Sequence, residues 1–310
     1  MTQTPAQDRR VADSIPTSWV DRAPVWLRPF LRLARYDRPV GFWLLALPCW
    51  IGLAAARTDT GLGWIDLYYA VLFGIGAIAM RGAGCTFNDI VDKDLDAQVA
   101  RTADRPLAAG TVTLKGAWLF LIAQSLVGLL VLVQLPLPAI VTGLAALGLV
   151  AAYPFMKRIT WWPQVWLGLT FNWGIPVAAA VALGTPFSLE IALLYGAAVL
   201  WTIGYDTIYA CQDIEDDALV GVKSSARAMG GQIRLGVGLC YAGCLVLIAG
   251  SALIAQANWL FAIGFVLFAA HLIRQAMSFD PSDGAQCLSV FKSNRIAGVI
   301  LLASFVLGSL

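Results

Sequence analysis

The 310-residue sequence has one histidine, His271, and no Cys-x-x-Cys pair. Its six cysteines (Cys49, Cys85, Cys211, Cys240, Cys244 and Cys287) therefore argue against a zinc site and read as small apolar packers within helices. Charge is scarce as well. Asp, Glu, Lys and Arg make up 13% of the chain, against about 25% in soluble globular proteins, and mean hydropathy is +0.74. Alternation of apolar and polar residues is missing, which sets aside a membrane β-barrel. Met1–Asp21 lacks the apolar core of a signal peptide. No soluble basic domain exists to bind nucleic acid. What remains is an all-α, polytopic membrane bundle.

A spanning helix needs about 20 mostly apolar residues. Nine segments meet or approach that: 40–56, 67–85, 117–135, 139–155, 165–183, 191–210, 235–255, 259–277 and 296–310. The basic residues give an independent test. With the N-terminus on one side, that side receives 20 of the 21 Lys and Arg, and only Arg57 falls on the other. By the positive-inside rule the basic side is cytoplasmic and the C-terminus faces away; the membrane is expected to be a bacterial inner membrane. Residues 1–35 form a basic N-terminal segment, and 36–310 the nine-helix domain. Within Val25–Tyr36, arginines alternate with Trp26, Leu27, Phe30, Leu31 and Leu33. That pattern suits a short interfacial helix or the irregular start of the first span. The two long connections, 86–115 and 211–234, lie on the basic side and are expected to form a cap.

Those stretches, with the preceding helix end that carries Asp206, concentrate the acid. Ten of the nineteen carboxylates are Asp89, Asp92, Asp94, Asp96, Asp104, Asp206, Asp213, Glu215, Asp216 and Asp217. Helical steps of four put Asn88, Asp92 and Asp96 on one face, and steps of seven and four do the same for Asp206, Asp213 and Asp217. Asp89, Asp94, Glu215 and Asp216 are read as supporting or solvated. Carboxylates at a membrane face are costly enough to imply a function. An oxygen-only ligand set suits Mg²⁺ held against a diphosphate. NDIVD (88–92) and QDIED (212–216) also form a weak internal repeat, as in duplicated membrane proteins.

NDIVDKDLD, RTADRPLAAG, YDTIYACQDIEDD and GVKSSA together resemble the UbiA superfamily of intramembrane prenyltransferases. RYDRPVGFWLL (35–45) and YDTIYA (205–210) resemble those members that act on 4-hydroxybenzoate in ubiquinone synthesis, and YPFMK (153–157) matches the family's YxxxK element. The resemblance covers nearly the whole chain. It implies Asn88, Asp92, Asp96, Asp213 and Asp217 as Mg²⁺ ligands, with Asp206 less secure. It also implies that a polyprenyl diphosphate ionises and its allylic cation is attacked by 4-hydroxybenzoate ortho to the hydroxyl, the product leaving into membrane lipid.

Asp92, Asp213, Tyr153 and Lys157 are the expected catalytic residues. Lys157, Arg101, Arg105 and Lys223 are the candidate diphosphate cations, each weighed against a plain positive-inside anchor. Arg38 or Arg81 would grip the acceptor carboxylate, Arg38 being slightly preferred. Gly74, Gly76, Gly82 and Gly84, with Trp166, Phe171 and Trp173, are candidates to line a passage for the lipid tail, although such glycines commonly serve helix packing. His271 reads as a packed residue and Trp161–Trp162 as an interfacial belt. The rivals are another acceptor (dihydroxynaphthoate, homogentisate, haem or chlorophyllide) and a cation transporter. Against the transporter, these acids sit at helix ends instead of mid-membrane.

Overall fold

The computed structural model describes residues 14, 17–99, 102–219 and 221–310, with no side-chain description of Asp216. Among them there is no strand. Thirteen α-helices follow in order: α1 Arg28–Leu33, α2 Val40–Ala56, α3 Trp64–Asp96, α4 Leu114–Leu132, α5 Leu137–Ile159, α6 Pro163–Phe171, α7 Gly174–Leu183, α8 Leu189–Ala210, α9 Ile214–Leu219, α10 Ser225–Met229, α11 Ile233–Ile254, α12 Trp259–Ser278 and α13 Gly284–Gly308. Taking α6 and α7 as one segment, eight are long and apolar enough to cross a membrane, and α2 is a shorter apolar helix. The all-α membrane bundle is as expected, and the chain is multi-pass.

The chain forms two compact units. The first comprises residues up to Trp43 and Ile75–Val131; the second comprises Leu44–Gly74 and Leu132–Leu310. In the first, Leu33, Leu107, Val112 and Ala117 form a buried cluster, with Phe30, Ile90 and Phe120 packed on it. Here Val25–Tyr36 yields only the six-residue α1, whose Leu31, Arg32 and Leu33 are buried. Arg32 pairs with Asp21 at 3.1 Å, so this arginine serves an internal contact.

In the second unit α8 packs against α6, α11 and α13. Its Trp201 indole donates to Asn294 Oδ1 at 2.8 Å. The expected single span 165–183 is two helices. Pro176 has no N–H to offer the carbonyl of residue 172, and its ring crowds that carbonyl, so the helix breaks at Asn172–Trp173. A freed backbone group in the apolar interior needs a partner. Ile175 N donates to the freed Asn172 O at 2.9 Å, while Asn172 Nδ2, 3.1 Å from Ala198 O and 2.8 Å from Thr202 Oγ1, ties the break to α8.

Two helices run further than hydropathy marks. Residues 296–310 are the end of α13, which begins at Gly284. More important, α3 continues from Cys85 through Asp96. Its 33 residues span about 50 Å, against an apolar core of about 30 Å. The acidic motif therefore lies on a helical extension, and not in the loop assigned to 86–115.

Candidate active site

In the first unit the end of α3 carries Asn88, half-buried, with Asp92 and Asp96 buried. Asp94 is exposed, in keeping with a solvated role. Asp89 is different: it is fully buried. Seven residues before Asp96, it falls within about 20° of that residue around the helix, and its burial suits a supporting role rather than a solvated one.

The loop after α3 returns a cation to this face. The Thr102 hydroxyl donates to Asp96 O at 2.9 Å, and Leu107 is anchored in the buried cluster. Between them, Arg105 Nη1 reaches both Asp96 oxygens at 2.9 and 2.7 Å and Asp89 Oδ1 at 3.3 Å. Arg35 Nη2 donates to the same Asp89 oxygen at 2.6 Å. Arg101 lies outside the described residues.

The acceptor candidates also belong to this unit. Arg38, largely buried, has Nε 3.5 Å from Asp37 Oδ1. Arg81 lies against Gly41, where any Cβ would collide with its guanidinium. Gly82 likewise admits the side chain of Gln124, whose Oε1 accepts from Thr86 Oγ1 at 3.3 Å. Packing, then, explains Gly82.

In the second unit α8 ends at Ala210 and a 3₁₀ turn, Cys211–Asp213, leads into α9. A 3₁₀ turn advances about 120° per residue, so the common face assigned to Asp206, Asp213 and Asp217 is not that of one continuous α-helix. Asp213 and Asp217 are half-buried and Glu215 is exposed. Asp217 O accepts from Val222 N at 2.9 Å, and Lys223 N donates to Lys157 O at 2.9 Å. The segment after the second motif is thereby joined to the end of α5, which carries Tyr153 and Lys157.

Lys223 Nζ donates to Ile159 O at 3.1 Å, capping α5. Buried Ser225 fixes the following turn, its hydroxyl 2.6 Å from Thr207 Oγ1 and its N–H 3.0 Å from Gln164 Oε1. Arg227 stacks over Trp161, 5.2 Å from the ring centroid. Trp161 thus holds a cation besides being partly exposed. The Trp166 and Trp173 indoles donate to Leu149 O and Thr142 O, each at 2.8 Å, tying α6 and the α7 start to α5. His271 Nε2 lies 3.2 Å from Ser293 Oγ, a packing contact.

Residues 39–303 match the model of the UbiA prenyltransferase family. The chain belongs to the UbiA prenyltransferase family. Among curated relatives, the mitochondrial 4-hydroxybenzoate polyprenyltransferase of Aedes aegypti is 45% identical over 285 residues, 91% of this chain and 64% of the relative. The enzyme of that name from Rattus norvegicus is 45% identical over 296 residues, 94% of this chain and 77% of the relative. Among solved structures, a UbiA homolog from Aeropyrum pernix K1 aligns with a TM-score of 0.72 at 24% identity, covering 86% of this chain and 98% of that one. An Archaeoglobus fulgidus UbiA homolog bound to GPP and Mg²⁺ aligns at 0.69 and 19% identity, covering 91% and 99%. These two likenesses concern the fold.

The UbiA family assignment bears on how the carboxylates are used. Among the described residues no three His, Cys, Asp or Glu side chains gather closely enough to cage a metal. Mg²⁺ does not need such a cage: it keeps several waters and takes one or two carboxylates together with substrate phosphate oxygens. Buried, oxygen-only donors such as Asp92 and Asp96 fit that habit. The sequence reading missed Arg35 altogether and undervalued Asp89. The step of seven from Asp89 to Asp96 was the available signal for the latter.

Proposed function

We propose that this chain transfers the polyprenyl group of a polyprenyl diphosphate to the ring carbon ortho to the hydroxyl of 4-hydroxybenzoate. The products are 3-polyprenyl-4-hydroxybenzoate and diphosphate, a step of ubiquinone biosynthesis. The observation that carries the reading is 45% identity across 94% of the chain with a relative named for this activity. The buried carboxylates of α3, with Arg105 beside them, support it.

In the reaction, the allylic C–O bond breaks with its electron pair leaving on the diphosphate. The ring carbon then forms the new C–C bond and releases its proton. Asn88, Asp92, Asp96, Asp213 and Asp217 would hold Mg²⁺, which supplies charge stabilisation for the departing diphosphate. Lys157, Arg101 and Arg105 bind and orient that diphosphate, and their fixed charges favour its departure. Lys223, engaged by the Ile159 carbonyl, steadies Lys157 through the backbone bond. Tyr153, one turn before Lys157 on α5, orients the reacting groups. Arg38 or Arg81 binds the acceptor carboxylate, Arg38 being preferred.

The proposal places the N-terminus and both motifs on the side holding 20 of the 21 basic residues, and the C-terminus opposite. The relatives' names say mitochondrial, so the bacterial compartment is not carried forward. Membranes containing the chain are to be incubated with Mg²⁺, a labelled prenyl diphosphate and each acceptor in turn. The expected result is a prenylated product with 4-hydroxybenzoate. Product from dihydroxynaphthoate or homogentisate, with none from 4-hydroxybenzoate, would overturn the assignment.

A further inference from the structure

Arg35 occupies a backbone conformation that its residue type disfavours. It follows α1 with φ 61°, and the paired bonds Arg35 N to Arg32 O and Tyr36 N to Leu31 O, each 3.0 Å, close the helix. That left-handed closing position is ordinarily glycine, because a Cβ there is strained. Strain of this kind persists only where the surroundings hold the residue in place. Here the side chain gives the reason for the arginine: Nη2 donates to Asp89 Oδ1 at 2.6 Å.

Asp89 is fully buried. Its Oδ1 is shared, accepting from Arg105 Nη1 at 3.3 Å as well. Two guanidinium groups meeting at one oxygen repel each other, and the carboxylate between them offsets that repulsion. Arg105 in turn contacts both oxygens of Asp96. The four groups form a chain of alternating charge from the turn after α1 to α3, out to Arg105 on the following loop, and back to Asp96 on α3.

We infer that Asp89 is a positioning residue: with Arg35 as its second cation, it holds the Arg105 guanidinium beside Asp96, ready for the diphosphate. The inference rests on the reading of Arg105 as a diphosphate ligand. Losing Asp89 leaves Arg35 and Arg105 facing each other unscreened, and Arg105 swings away. Losing Arg35 gives all of Asp89 to Arg105 and draws it off Asp96.

The test uses the full chain in nanodiscs, with thermal midpoint and the Kd of an unreactive prenyl thiodiphosphate in Mg²⁺ as readouts. Arg35→Met removes a buried ion pair, and Asp89→Asn sets the Arg35 and Arg105 guanidiniums against each other, so each is expected to lower the midpoint. The double variant restores charge balance and recovers the midpoint, yet binds the analogue about tenfold more weakly than the starting protein. Arg35→Gly, which relieves the backbone and therefore folds, is also expected to lose affinity. Unchanged affinity in the double variant or in Arg35→Gly overturns the inference. If Arg105→Met binds the analogue normally, the diphosphate role of Arg105 falls too, which separates the two failures.

Discussion

A methyl group at position 41 would collide with the Arg81 guanidinium, so glycine there is a condition for where that guanidinium lies. Gly41→Val is expected to displace Arg81. A charge-assisted hydrogen bond to a carboxylate is worth about 1.5–3 kcal/mol, so KM for 4-hydroxybenzoate should rise about tenfold or more. KM for the prenyl diphosphate should change little. Initial rates with each substrate varied in turn decide this, and an unchanged acceptor KM leaves Arg38 as the carboxylate's partner. At this scale the sequence was partly legible. Repeating steps of four picked out Asn88, Asp92 and Asp96, two of which prove buried. Arg35 was hidden, because left-handed helix closure predicts glycine and nothing local to the residue announces a partner 54 positions away.

Among the described residues, apolar run length located the eight candidate spans and the shorter apolar α2 but misjudged where some of them end. Hydropathy drops at Asn88, while the backbone of α3 continues as a helix to Asp96, since polar residues with ordinary helix propensity do not stop one. The break between α6 and α7 did have a sequence signal, Pro176, which the apolar run concealed. The connections between elements carry the sidedness proposal. Gln98, after α3, and Thr185, between α7 and α8, are both exposed. Introduced singly into a cysteine-free background, Gln98→Cys and Thr185→Cys should react with an impermeant maleimide from opposite faces of sealed vesicles. Labelling of both from one face would contradict the assigned topology.

For the whole molecule, the charge is distributed as an enzyme between water and lipid requires. Ten of nineteen carboxylates fall in two short stretches, one joined to Arg105 and the other to the end of α5 that bears Lys157. Buried carboxylates cost free energy unless paired, and Asp89 and Asp96 are held by Arg35 and Arg105. The central claim is that both stretches serve one Mg²⁺-dependent prenyl transfer. It is tested most directly by the initial rate of 4-hydroxybenzoate prenylation in Asp92→Ala and Asp213→Ala, measured in excess Mg²⁺ and normalised to folded, detergent-extracted protein. The account predicts that each substitution lowers the rate at least about a hundredfold while the protein still elutes as a folded species. A rate within a few-fold of the starting protein for either variant would contradict it.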